Sequence, residues 1–207
     1  ITGPPGAGKS TLIGALVKEL RGAGRSVAVI AVDPSSKRSG GSLLGDRARI
    51  EFDPADGDLL IRSMAAGERL GGLARPTRDA AAALSAAFDV VVVETVGVGQ
   101  SETEIAEVAD TVCVVVQPAS GDTLQFIKSG IMEIPHVLVV TKADLGQIAQ
   151  RARRDLHAAL RSLGAKDTSV VAVSSVPPPS GFESLVEAID AHFESSNVES
   201  CLLYTSP

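Results

Sequence analysis

"GPPGAGKST", Gly3 to Thr11, decides how the rest of the chain is read. From Gly3 to Ser10 it fits G-x-x-x-x-G-K-[ST], the Walker A pattern, and it runs straight into a helical periodicity. Glycines let successive backbone N–H groups curl around phosphate oxygens, and the positive end of the helix behind them adds to the attraction. Within such a loop Lys9 reaches the β- and γ-phosphates, the Ser10 hydroxyl suits Mg²⁺, and Thr11 lies near the α-phosphate. Gly3, Pro4, Pro5, Gly6, Ala7, Gly8, Lys9, Ser10 and Thr11 are therefore the candidate phosphate cradle. The motif points to a nucleoside triphosphate without saying which base.

Outward from this loop the pattern alternates. "GKSTLIGALVKELRGAG" spaces Leu12, Leu16, Val17 and Leu20 as one helix face and stops at Gly22 to Gly24. "SVAVIAVD", "DLLIRSMA", "DVVVVET", "DTVCVVVQP", "HVLVVTKAD" and "TSVVAVSS" are short β-branched runs bounded by polar or turn residues. Helical patterns separate several of them: an Ala-rich segment opened by Pro76, then Gln147 to Leu163, then Phe182 to Phe193. Continuous apolar strands alternating with helices predict an α/β fold of three layers, a P-loop NTPase with a mainly parallel sheet and helices on both faces. Pro34 to Arg49 reads as a long functional loop.

Composition narrows the partners. The 207 residues suit one sizeable domain, and with only 3% aromatics its core must be Ala, Val, Leu and Ile. Nineteen basic and 25 acidic residues leave a formal charge of −6, which disfavours nucleic acid or an anionic membrane as a partner. No apolar run approaches the roughly 20 residues of a membrane span. Cys113 and Cys201 lie far apart in no metal-ligand spacing, so a buried free thiol is the reading for Cys113 and a reducing cytoplasm the expected compartment. The start at Ile1 and the unpatterned "SSNVESCLLYTSP" suggest a fragment clipped inside its first strand. The expected domain is 1–193, with 194–207 a non-native or disordered tail.

Three carboxylates fall where Mg²⁺ would need oxygen ligands. Asp33 closes "VAVIAVD", Glu94 closes "DVVVVET", and Asp46 lies in "GSLLGDR". Ligands in open α/β sheets sit beyond the carboxyl ends of strands, so Asp33 and Glu94 should face the crevice of the phosphate loop. Asp33 could equally form an Asx-turn before Pro34, and Asp46 a surface ion pair with Arg47. "ETVG", Glu94 to Gly97, has the shape of D-x-x-G, and the Gly97 amide would then touch the γ-phosphate. Val98 follows where Ras-like enzymes place a water-positioning Gln, and the nearest glutamine is Gln100, so slow intrinsic hydrolysis is expected.

"TKAD", Thr141 to Asp144, resembles the base-reading N-K-x-D motif with Thr for Asn. Asp144 can accept two hydrogen bonds from guanine, which adenine cannot offer at that edge, and the Lys142 stem can lie over the base. Thr141 would steady the neighbouring loops. "AVSS" offers Ser174 and Ser175 as a second base-contacting loop. GTP or GDP is the expected nucleotide.

Taken together, "GPPGAGKST", "VDPSS", "GGSLLGDR", "RSMAAGERLGGLA", "VVVETVGVGQSE", "GDTLQFIKSGIMEI" and "TKAD" resemble the ArgK/MeaB family of methylmalonyl-CoA mutase-associated GTPases, from Ile1 to about Phe193. The resemblance implies a GTPase of the signal-recognition and metallochaperone class. Such a protein gates adenosylcobalamin loading and protects a cobalamin-dependent acyl-CoA mutase. It implies Asp33, Asp46 and Glu94 as magnesium-site carboxylates alongside Ser10. It also implies Lys9, Asp33, Glu94, Gly97 and Lys128 as the catalytic set, and Gly121 to Met132 as a switch facing the mutase. From composition alone that last segment is an amphipathic helix and Lys128 a solvated lysine. Family members usually dimerise through a C-terminal arm, so a homodimer is expected of a full-length protein. Three rivals stand beside this reading: a nickel-inserting GTPase, which would want a Cys/His cluster; an ATP-dependent transport-associated kinase, against which Asp144 argues; and a non-catalytic nucleotide-sensing scaffold.

Overall fold

The computed structural model describes residues 1–33, 53, 55–65, 75–95, 105, 108–118, 135–165 and 167–203. In chain order these form α1 (Lys9–Gly22), β1 (Val27–Asp33), β2 (Leu59–Ala65), α2 (Arg75–Ser85), β3 (Val90–Glu94), β4 (Cys113–Val116), β5 (Val137–Val140), a 3₁₀ turn (Ala143–Leu145), α3 (Gln147–Ser162), β6 (Ser169–Ala172) and α4 (Phe182–Leu203). The α/β alternation expected from the sequence is what the chain adopts. Among the described residues these six strands pair in parallel: β2-β1-β3 form one three-stranded sheet and β4-β5-β6 another.

Ile1 and Thr2 lie between these two sheets and join them. The Thr95 amide donates to the Ile1 carbonyl at 3.1 Å on the β3 side. On the β4 side the Thr2 amide donates to Cys113 O at 2.9 Å, and the Val115 amide to Thr2 O at 2.8 Å. The phosphate-binding motif thus starts from the middle of a continuous parallel array.

Alternation along each strand builds the three layers. Val27, Val29, Val115, Val137 and Val139 face one side, where Leu12, Leu16 and Leu20 of α1 meet Phe182 and Leu185 of α4. Ile30, Val32, Val114, Val116, Leu138 and Val140 face the other, against Ala81 of α2 and Leu156 and Leu160 of α3. Strands buried on both faces must be apolar at every position, which is why β4 and β5 read as unbroken runs without a polar alternate. Each fully buried Leu, Ile or Val contributes about 1.5–3 kcal/mol by leaving water. The Arg25 guanidinium, just past α1, makes a two-pronged contact with Asp190 of α4, its Nη1 lying 2.8 Å from Oδ1.

Helix α4 runs past Phe193 to Leu203. The Ser195 and Ser196 hydroxyls both donate back to the His192 carbonyl, at 2.8 and 3.0 Å.

Candidate nucleotide site

The phosphate loop hangs between Thr2 and α1 in a conformation that glycine makes possible. Gly3, Gly6 and Gly8 have φ of 142°, 78° and 91°. At Gly3 the reason is also steric, since a Cβ would run into the Val115 carbonyl oxygen. Ala7 is fully buried and turns back on the loop, its amide donating to Pro4 O at 3.2 Å. Pro5, Gly6 and Thr11 face outward, while Pro4, Gly8 and Ser10 are half-buried. Helix α1 begins at Lys9 behind a left-handed Gly8, with no side-chain cap and no acidic residue in its first turn. Its first amides and its positive pole are therefore directed at the loop.

Lys9 is buried, and its ammonium donates to the carbonyls of Gly3 at 2.7 Å and Pro4 at 3.1 Å. A cation folded over the loop's own carbonyls is held where a phosphate would arrive. Ser10 Oγ donates to Glu94 Oε1 at 2.9 Å, so the hydroxyl on α1 and the carboxylate ending β3 meet beside that cation. The β1–β3 register pairs Ala31 with Glu94, which puts Asp33 at the same carboxyl end of the adjacent strand. A hydroxyl and a buried carboxylate in contact are hard oxygen donors of the kind Mg²⁺ takes, so the residues present fit that ion. Asp46, Gly97 and Lys128, with Val98, Gln100 and Gly121 to Met132, lie outside the described residues.

A second group gathers at the ends of β5 and β6. The buried Thr141 hydroxyl lies 2.9 Å from Ala7 O and 3.3 Å from Val116 O, and its amide donates to Val116 O at 2.9 Å. The Thr141–Asp144 segment is thereby tied to the middle of the phosphate loop. Lys142 follows in the left-handed conformation, φ 55° and ψ 43°, and its ammonium donates to Gln117 Oε1 at 2.7 Å. Asp144 is exposed, with Oδ1 accepting a hydrogen bond from buried Ser174 at 2.8 Å. Ser174 is fixed in turn by a mutual backbone pair with Ser180, at 3.0 and 2.9 Å, and by the Val176 amide, 3.2 Å from its hydroxyl. Ser175 is half-buried next to it.

The structure thus brings the cradle, Ser10, Glu94, Thr141, Lys142, Asp144 and Ser174 to one edge of the sheet. Gln117 was not singled out from sequence, because a glutamine after an apolar strand carries no motif. Thr141's partner was equally hidden, since Ala7 lies 134 positions away. No grouping of three or more His, Cys, Asp or Glu suited to a metal occurs among the described residues. Cys113 is buried, which pushes its thiol up to about 11 and leaves it unreactive. Among the described residues no helix is long and apolar enough to cross a membrane.

A parallel three-layer sheet, a glycine loop feeding a helix, and a second loop presenting Lys142 and Asp144 define a P-loop nucleotide-binding domain. The family model for the methylmalonyl-CoA mutase-associated GTPase MeaB matches residues 1–201, and the chain belongs to that family. A Pyrococcus abyssi protein that carries a GTPase name is 54% identical over 145 residues, covering 70% of this chain and 45% of its own. The mouse protein named methylmalonic aciduria type A homolog, mitochondrial, is 44% identical over 155 residues, covering 74% of this chain and 37% of its own. Among solved structures, one titled LAO/AO transport system kinase superposes with a TM-score of 0.71 at 32% identity, covering 96% of this chain and 59% of that one. The Archaeoglobus fulgidus hydrogenase maturation factor HypB shares the fold, at a TM-score of 0.68 and 15% identity over 93% of this chain and 87% of its own. The chain spans less than half the length of the Pyrococcus and mouse relatives.

Proposed function

We propose that this chain is the nucleotide-binding part of a GTP-hydrolysing chaperone that gates adenosylcobalamin loading and protects a cobalamin-dependent acyl-CoA mutase such as methylmalonyl-CoA mutase. The observation that carries the guanine reading is the Ser174–Asp144 bond at 2.8 Å, beside a base loop that Thr141 ties to the phosphate loop. A carboxylate held by one oxygen keeps the other face of the group for the paired donors of guanine.

The cradle from Gly3 to Thr11 would hold the phosphates, with Lys9 moving from its own loop carbonyls onto phosphate oxygens. Ser10, Glu94 and Asp33, together with Asp46, would hold Mg²⁺. When bound, that ion neutralises charge on the β- and γ-phosphate oxygens. Gly97 and Lys128 are assigned to the switch that senses the γ-phosphate and couples it to the mutase. Val98 in the glutamine position makes intrinsic turnover slow and partner-stimulated. The mutase assignment is supported by the family to which the chain belongs and by the name of the mouse relative. A nickel-inserting protein would want a Cys/His cluster, and among the described residues no group of three or more His, Cys, Asp or Glu suits a metal ion.

Turnover of GTP and ATP, measured with Mg²⁺ and with or without a cobalamin-dependent mutase, tests this function. Slow GTP hydrolysis that the mutase accelerates is expected. ATP turnover equal to that of GTP would return the chain to the kinase reading, and an unresponsive GTP rate would remove the mutase.

A further inference from the structure

Lys142 is the one non-glycine residue with positive φ among those described. A left-handed backbone disfavours any side-chain-bearing residue by roughly 1–2 kcal/mol, so something must hold this one there. Its flanks are pinned: the Thr141 amide donates to Val116 O at 2.9 Å and the Ala143 amide to Val173 O at 3.0 Å. Its side chain crosses from the end of β5 to the end of β4, where its ammonium donates to Gln117 Oε1 at 2.7 Å. A free lysine stem samples many rotamers, and ordering one costs up to about 2 kcal/mol. A stem anchored at both ends has already given up that freedom.

We infer that Gln117 is a positioning residue of the base site: by accepting from the Lys142 ammonium it holds the lysine stem as a preformed wall for one face of the purine. This rests on the guanine-nucleotide reading above. Gln117 is neutral and half-buried, so it can accept this bond without drawing the ammonium into a buried ion pair. The stem covers the ring face, not the ring edge. Gln117 should therefore set affinity for any purine nucleotide seated there and leave edge recognition to Asp144.

The test is calorimetric binding of GDP, IDP and inorganic tripolyphosphate to the whole chain carrying Gln117→Ala, Gln117→Glu, Lys142→Met or the Gln117→Ala/Lys142→Met pair. Gln117→Ala should weaken GDP and IDP alike by about fivefold, the scale of one hydrogen bond. Tripolyphosphate affinity and the melting temperature should stay put. Gln117→Glu, which still accepts from the ammonium, should restore binding. Lys142→Met should lose the same factor, with no further loss in the pair. Unchanged GDP affinity in Gln117→Ala, equal loss of tripolyphosphate binding, or additive losses in the pair would each overturn the inference. Should Gln117→Ala fold poorly, the Gln117→Glu and Lys142→Met arms still decide it. A wild-type chain that does not prefer GDP over ADP would instead defeat the guanine reading itself.

Discussion

Ser10 Oγ donates to Glu94 Oε1 across 2.9 Å, closing a contact between the first turn of α1 and the last residue of β3. Both groups are hard oxygen donors, and they meet beside the Lys9 ammonium, where positive charge is already concentrated. Glu94→Gln keeps the size and one acceptor but removes the negative charge. Mg²⁺ affinity in the presence of GTP should fall by about 10- to 100-fold, with nucleotide affinity in EDTA nearly unchanged. Mg²⁺ titration of nucleotide binding reads both, and an unchanged midpoint would take Glu94 out of the metal site.

Thr141 stands where related motifs carry Asn, and its hydroxyl is spent on the Ala7 carbonyl inside the protein. Thr141→Val has the same shape but leaves the fully buried Ala7 without that donor. Urea unfolding should show a loss of about 1–3 kcal/mol, and GTP should bind more weakly because the two loops are no longer tied. A variant as stable as the parent would mean that water takes over the bond.

Asp144→Asn replaces a double acceptor with one acceptor and one donor. Preference should swing from GTP towards xanthosine triphosphate, whose ring presents an acceptor at that edge. Competition binding with the two nucleotides measures the ratio. Ser174→Ala should cost less, since it frees Asp144 Oδ1 without altering the charge.

Far from this site, His136 and His192 stack with ring centroids 3.8 Å apart and planes 18° from parallel. The Val112 amide donates to His136 Nδ1 at 2.9 Å, so a second proton on that ring would displace a backbone hydrogen bond. Burial, then the charge of the neighbouring ring, holds His136 below the ordinary imidazole value; burial does the same for His192, partly countered by Asp110. The fold therefore binds fewer protons than the unfolded chain. Stability should be intact above the ordinary imidazole value near 6.5 and fall as the pH drops below it. His192→Phe should flatten that slope, as melting temperatures between pH 8 and pH 5 would reveal; an equal slope would place the titration elsewhere.

What the sequence discloses and what it hides follow from range. The phosphate loop, the apolar runs and Lys142–Asp144 were legible because each is local, with its chemistry written in consecutive residues. The rule that strand ends face one crevice set Glu94 towards the phosphate loop, but its hydrogen bond with Ser10 of α1 was not legible from spacing. Thr141's hold on Ala7, Gln117's on Lys142 and the stacked histidines involve partners brought together by the sheet, for which no spacing rule exists.

Ile1 and Thr2 hydrogen-bond towards β3 on one side and β4 on the other, so the two sheets meet edge to edge where the phosphate loop begins. Glu94 ends a strand on one side of that seam, and Asp144 follows a strand on the other. A nucleotide that touched both residues would lie across the seam like a stitch, and the free energy of its binding would then be added to the cohesion of the sheet itself.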